Sequence, residues 1–131
     1  MQNSPQSQMI LIINADGQTN FLLERIIKSM GYMVEIGTSL TDIKKVFTTS
    51  PPALIIVSEK LVSENQNAWI KETRQQFPLL PLVIYSETDN IHLIKEAIRM
   101  GVNDFLSPPI TREEIVQTIE TKLPVEIFSG R

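Results

Sequence analysis

Short aliphatic runs alternate along the chain with stretches in which apolar residues recur at three- and four-residue steps. Met9-Ile-Leu-Ile-Ile13 is rich in β-branched residues and stops at a turn-like Asn14-Ala-Asp-Gly17, the pattern of a buried strand. From Gln18 to Met30 the apolar positions Leu22, Leu23, Ile26, Ile27 and Met30 trace one helical stripe, and Gly31 can close it in the left-handed conformation. Met33–Ile36 reads as a second strand. Ser39 and Asp42 resemble a capping pair for a short helix through Leu40, Ile43, Val46 and Phe47, which Pro51 and Pro52 stop. Ala53–Val57 is an unbroken apolar run and predicts a central strand.

The segment Glu59–Asn67 is polar and irregular, and a weaker helical pattern runs from Ala68 to Phe77 through Trp69 and Ile70. Pro78 and Pro81 bracket a turn before the strand Leu82–Tyr85. Ile91, Ile94, Ala97 and Ile98 form a helical stripe ending at Gly101, and Asp104–Leu106 is a last short strand. Thr111 with Glu114 makes a capping box for a final helix through Ile115, Val116, Ile119 and Leu123. Five strands alternating with five helices predict a parallel sheet covered on both faces, the burial that apolar strands require. Residues 9–123 read as one domain, 1–8 as a disordered N-terminal segment, and 124–131 as a C-terminal tail or the start of a linker.

Composition narrows the chemistry. The chain has 131 residues, enough for one domain with a sizeable core and no need of metal or disulfide staples. With no cysteine it lacks a disulfide framework, a thiolate zinc site and a thiol nucleophile. Its 15 acidic side chains against 12 Lys and Arg, net −3, argue against a broad basic face for nucleic acid. The aliphatic run Met9–Ile13 is far short of the roughly 20 residues of a membrane span, and Met1–Gln8 has no signal-peptide pattern, so a cytoplasmic domain is expected.

In an open α/β sheet, function gathers at the carboxyl ends of the strands. Those ends are Asn14-Ala15-Asp16, Ser58-Glu59, Ser86-Glu87 and Ser107-Pro108-Pro109. The first lacks the glycines of a dinucleotide or nucleotide phosphate cradle, and Val57-Ser-Glu59 lacks those of a nucleophile elbow. Asn14-Ala-Asp-Gly-Gln-Thr19 is only a weak version of a flavin phosphate loop. The single histidine, His92, reads as a solvated helix residue and Trp69 as packing.

The order of elements, the hydroxyl of Ser86 after the fourth strand and the segment Glu96-Ala-Ile-Arg-Met-Gly-Val-Asn-Asp-Phe-Leu-Ser-Pro-Pro109 resemble the receiver domain of two-component response regulators, from Met9 to about Leu123. The resemblance implies a flavodoxin-like three-layer α/β/α sandwich around a five-stranded parallel sheet of order 2-1-3-4-5, with a cis peptide at Pro108–Pro109. It also implies an acidic pair that holds Mg²⁺, a phospho-accepting Asp after the third strand, a hydroxyl after the fourth and a Lys before the proline after the fifth. This chain departs from nearly all of these. The acidic pair falls on Asn14 and Ala15, with Asp16 beside them; the phospho-acceptor falls on Ser58 and the lysine on Pro108. Ser86 matches, and Phe105 takes the place of the aromatic that moves with that hydroxyl in the family.

The expectation is therefore a pseudo-receiver, not an enzyme, with no cofactor, acting through protein contacts. Its partner would be another protein or a covalently attached output domain, with no direct nucleic-acid or membrane contact. A homodimer would form through the fourth helix, fifth strand and fifth helix, whose charged face carries Lys95, Arg99, Asp104 and Arg112. Gln117-Thr118 lacks the basic residue that some dimerising members carry in the last helix. Asp16 and Glu59 are weak candidates for holding a cation. The alternatives are a regulator phosphorylated at the atypical Ser58, and a small-molecule or flavin-binding domain. Ser58 has no sequence neighbour to activate it, and a strand-end hydroxyl bonded to local backbone is the simpler reading.

Overall fold

The computed structural model describes residues 8–64, 67–87 and 89–123, apart from the side chains of Lys44, Phe47 and Thr49. Five strands, β1 (Met9–Ile13), β2 (Met33–Gly37), β3 (Leu54–Ser58), β4 (Leu82–Tyr85) and β5 (Asp104–Leu106), form one parallel sheet of order β2-β1-β3-β4-β5. This is the order expected. Between and after them run α1 (Gly17–Ser29), α2 (Thr41–Thr49), α3 (Glu59–Glu64), α4 (Ala68–Gln76), α5 (Ile91–Arg99) and α6 (Arg112–Lys122).

The alternation along each strand divides the core into two layers. Ile10 and Ile12 of β1, Leu54 and Ile56 of β3 and Val83 of β4 pack with Leu23, Ile26 and Ile27 of α1 and with Ile115 and Ile119 of α6. Leu11, Ile13, Ile55, Val57 and Ile84 face the other way, toward Ile43 of α2, Val62 of α3, Trp69 and Ile70 of α4 and Ala97 of α5. The strands β1, β3 and β4 are buried along nearly their whole length, which is why their sequences do not alternate. The edge strand β2 is different: Met33, Glu35 and Ile36 are exposed.

Local chemistry sets the helix ends. Gly31 and Gly101 follow α1 and α5 with φ of +100° and +114°, the left-handed stop the sequence suggested. Thr111 caps α6 through its hydroxyl, which accepts the Glu114 N–H at 3.1 Å. The Ser39–Asp42 pair works in the reverse sense: the Asp42 carboxylate accepts the N–H groups of Thr38 at 2.8 Å and Ser39 at 3.2 Å, while the helix begins at Thr41. The expected irregular stretch after β3 is corrected by α3, so there are six helices among the described residues. Six residues with one buried side chain, Val62, give no periodic stripe to read.

The amino ends of the strands are tied by Arg74 of α4. Its guanidinium donates to the carbonyls of Phe77, Pro78 and Leu80 at 2.8–3.0 Å, to that of Gly101 at 2.7 Å and to the Asn103 side chain at 3.2 Å. Burial lowers the Arg74 pKa from its ordinary value. A Cβ at Gly101 would lie 2.9 Å from Arg74 Nε, so the glycine also makes room for this clip. The Gln8 carbonyl accepts the Met33 N–H at 3.0 Å, which fastens the start of the chain's described part to β2. The expectations for the rest of the N-terminal segment and for the tail 124–131 lie outside the described residues.

Candidate functional site

The carboxyl ends of β1, β3 and β4 surround a small cleft of about 130 Å³ lined by Asn14, Asp16, Ser58, Glu59, Lys60, Tyr85 and Glu87. The fold thus brings together Asn14, Asp16, Ser58 and Glu59, as the sequence reading anticipated. Ala15 is exposed beside them. Ser58 pairs with Tyr85 across β3 and β4, and the buried Ser86 follows directly, its N–H donating to the Leu106 carbonyl at 2.9 Å.

Four of the polar groups in the cleft, Asn14, Asp16, Ser58 and Glu59, have local partners. Asp16 is the N-cap of α1: its carboxylate accepts the Gln18 N–H at 3.3 Å and the Thr19 hydroxyl. The Thr19 hydroxyl bond, helped by the backbone bonds and the charge of Lys60, holds the Asp16 pKa below the ordinary 3.8 against the opposing effect of burial. Asn14 is 6% exposed and interlocked with the equally buried Asn20: Asn14 Nδ2 donates to Asn20 Oδ1 at 3.1 Å, and Asn20 Nδ2 to the Asn14 carbonyl at 2.7 Å. The Ser58 hydroxyl accepts the Lys60 N–H at 3.2 Å, the local backbone bond expected of it. Glu59 accepts the Ser63 hydroxyl one turn along α3. Lys60 reaches across the cleft mouth to Glu87, Nζ to Oε1 3.5 Å, an exposed ion pair of little energetic weight.

These residues do not fit the divalent cation that the resemblance implies. Such an ion needs carboxylate oxygens converging on one point. The Asp16 and Glu59 oxygens instead accept hydroxyl hydrogens, and the position nearest them from β1 is a buried amide. Among the described residues, no three His, Cys, Asp or Glu side chains come together as a metal group.

The fifth strand end differs further from the family pattern. Pro108 and Pro109 are exposed and joined by a cis peptide, as anticipated. Pro108 offers neither a charge nor a backbone donor. Phe105 is half-buried and packs on the core layer beneath α2–α5. The four charged residues expected on one face are arranged differently from one another. Lys95 and Arg99 lie exposed on α5, Arg99 pairing with Glu96 at 3.2 Å. Asp104 pairs with Lys122 of α6 at 3.2 Å, and Arg112 donates to the Ser29 hydroxyl of α1 at 3.0 Å. His92 is exposed and Trp69 buried in the core.

Sequence reasoning missed Asn20, Lys60 and Tyr85, while Glu87 lies, as anticipated, at the end of the fourth strand. Asn20 carried a signal: it sits three residues before Leu23 and seven before Ile27, a polar residue on the apolar stripe of α1. Tyr85 became part of the cleft through the parallel register of β3 and β4, and Lys60 through α3, neither of which a local pattern reveals.

A parallel sheet of this order, with polar residues gathered at the strand carboxyl ends, is a flavodoxin-like three-layer α/β fold. The family profile of the response regulator receiver domain matches residues 10–120, and the chain belongs to that family. It is 25% identical over 109 residues to an NtrX-like response regulator of Rickettsia bellii, covering 82% of this chain and 23% of that protein. It is 22% identical over 109 residues to the DNA-binding transcriptional regulator NtrC of Klebsiella pneumoniae, covering 83% and 23%. The chain thus spans about a quarter of the length of the curated relatives it matches. Among solved structures, NtrX of Brucella abortus in complex with ADP superposes with a TM-score of 0.80 at 23% identity over 88% of this chain and 26% of that one. A CheY-like receiver from Methanospirillum hungatei gives 0.79 at 16% identity over 88% and 93%. At these identities the structural likeness establishes the fold. Among the described residues no helix is long and apolar enough to cross a membrane.

Proposed function

We propose that this receiver domain is a cytoplasmic pseudo-receiver of a two-component pathway: it catalyses no reaction, takes up no phosphoryl group and signals by binding a protein partner or an attached output domain. The observation that carries this reading is the local occupation of the strand-end cleft. Asp16 is used as a helix cap, Asn14 is locked to Asn20, the acceptor position is a serine bonded to its own turn, and the lysine position is a proline. A phosphoryl group there would meet no converging cation and no ammonium from the fifth strand end, the two charges that stabilise such a transfer. Serine without an adjacent base is a poor nucleophile at neutral pH.

The contact surface is the one formed by α5, β5 and α6. Ile91 and Ile98 of α5 are 58% and 53% exposed, beside Lys95 and Arg99. Apolar side chains rimmed by charge are suited to a protein partner. The direct test adds Mg²⁺ with beryllofluoride, or a small acyl phosphate donor, to the full chain and follows backbone amide resonances. The expected outcome is an unchanged spectrum around Asp16, Ser58 and Ser86. Saturable shifts centred on those residues, or incorporation of phosphate lost in Ser58→Ala, would overturn the proposal.

A further inference from the structure

The strand β5 is held differently from β1, β3 and β4. Those three are buried along nearly their whole length, whereas β5 has three residues and only Leu106 is fully buried. It also lies at the end of the sheet, paired with β4 alone. Apolar contact keeps a strand buried on both faces in place; a short end strand needs other fasteners. Two side chains supply them, one from each helical layer. On the α4 side the Arg74 guanidinium donates to the Asn103 side chain at 3.2 Å. On the α6 side the Lys122 ammonium donates to Asp104 Oδ2 at 3.2 Å.

The Asp104 carboxylate has a second task. Its Oδ1 accepts the N–H of Phe105 at 2.8 Å, so one side chain joins the last turn of α6 to the backbone that carries the aromatic ring. The ammonium is fixed to its own helix as well: it donates to the Thr121 hydroxyl at 3.4 Å, and that hydroxyl donates to the Thr118 carbonyl at 2.9 Å. Among the described residues, the pairs Lys28–Glu24, Lys45–Asp42 and Arg99–Glu96 each lie within one helix. Lys60–Glu87 joins two elements, but its side chains are 76% and 56% exposed, against 22% and 39% for Lys122 and Asp104. A pair so shielded keeps more of its attraction than one at the open surface.

We infer that Asp104 and Lys122 form a catch through which the end of α6 holds β5 and the Phe105 ring in place. Closed, the catch occupies the Phe105 N–H and keeps the ring against the layer of α2–α5. Open, it leaves that N–H without its carboxylate at the end strand of the sheet and gives β5 one fastener fewer. The chain leaves α6 at Leu123, one residue past the catch, so a change at this exit reaches β5 directly. The catch is a property of the free domain. Its consequence for signalling rests on α5, β5 and α6 being the contact surface, and its failure would leave that reading standing.

The test is hydrogen exchange and ring resonances read by NMR on the full chain. Lys122→Met keeps the apolar stem and drops the ammonium. It is expected to speed exchange of the Phe105 amide several-fold and to shift the Phe105 ring resonances, with the central-strand amide of Ile56 unchanged. Lys122→Arg restores the charge and should return both readouts to the parent values. Asp104→Ala should speed Phe105 exchange at least as much, and adding Lys122→Met to it should change nothing further, because the two residues act as one unit. The inference is overturned by unaltered Phe105 exchange in Lys122→Met, by equal acceleration at Phe105 and Ile56, or by additive effects in the double variant.

Discussion

The two ends of the sheet handle polar groups in opposite ways. At the amino end, Arg74 bonds a carbonyl 27 residues away and a side chain 29 residues away, and Asn103 in turn accepts the Leu82 N–H from 21 residues away. At the carboxyl end, the side-chain bonds of Asn14, Asp16, Ser58 and Glu59 reach only two to six residues along the chain. The exposed Lys60–Glu87 pair is the exception there. Long-range polar bonds hold elements to one another and so belong to the architecture. Short-range ones cap and close turns, and they leave few lone pairs to converge on a ligand. In this chain the side chains at the carboxyl end cap and close local turns, while the clip at the amino end joins distant loops.

Removing the clip should therefore cost more than removing any single strand-end group. Arg74→Ala deletes five charge-assisted bonds and strands several loop carbonyls, an expected loss of about 2–4 kcal/mol in urea denaturation. Arg74→Lys should recover less than half, since an ammonium lacks the planar fork that serves two loops at once. Ser58→Ala removes one bond to a neighbouring N–H and should stay within about 0.5 kcal/mol. Equal losses for Arg74→Ala and Ser58→Ala would break the contrast.

Asn20→Ala probes the one part of the carboxyl end that is both local and buried. It leaves the Asn14 carbonyl and amide inside the protein without their partner, and about 1–3 kcal/mol is expected by the same measurement. Thr111→Ala removes a simple exposed cap from α6 and should cost about 1 kcal/mol. If the Asn20 change were the milder of the two, the Asn14–Asn20 interlock would be a surface convenience, and Asn14 would be free to turn toward a ligand.

The strands and most helices were legible because burial on both sides writes itself as unbroken aliphatic runs, and glycines mark the stops at Gly31 and Gly101; the strand order came from the family resemblance. The family positions Asn14, Ser58, Ser86 and Pro108 were legible as strand ends. What the residues there do was not. Whether Asp16 faces a cation or caps α1 depends on a hydroxyl three residues ahead, and whether Asn14 is available depends on Asn20 pointing inward. The Arg74 clip was hidden for the opposite reason: four of its five acceptors are backbone carbonyls, which carry no residue identity. Helix α3 was hidden because a single buried valine leaves no period.

The smallest expected effect separates the two ends by pH. Asp16, held below the ordinary carboxylate value chiefly by the Thr19 hydroxyl, binds its proton more readily in the unfolded chain. Its contribution to stability is therefore complete above pH 3.8 and is lost as pH falls through the lower folded-state value. Asp42 behaves in the same sense through the N–H groups of Thr38 and Ser39. The Arg74 guanidinium keeps its charge throughout that range. Lowering the pH from 5 toward 2 should then reduce hydrogen-exchange protection at Gln18 and Thr19, at the start of α1, before it does so at Leu82. Asp16→Asn keeps an oxygen acceptor for the cap but has no proton to gain there, so it should flatten the loss at α1. If wild type and Asp16→Asn lost α1 protection along the same curve, the Thr19 bond would not be what holds the carboxylate, and Asp16 would regain its candidacy as a group available to a ligand.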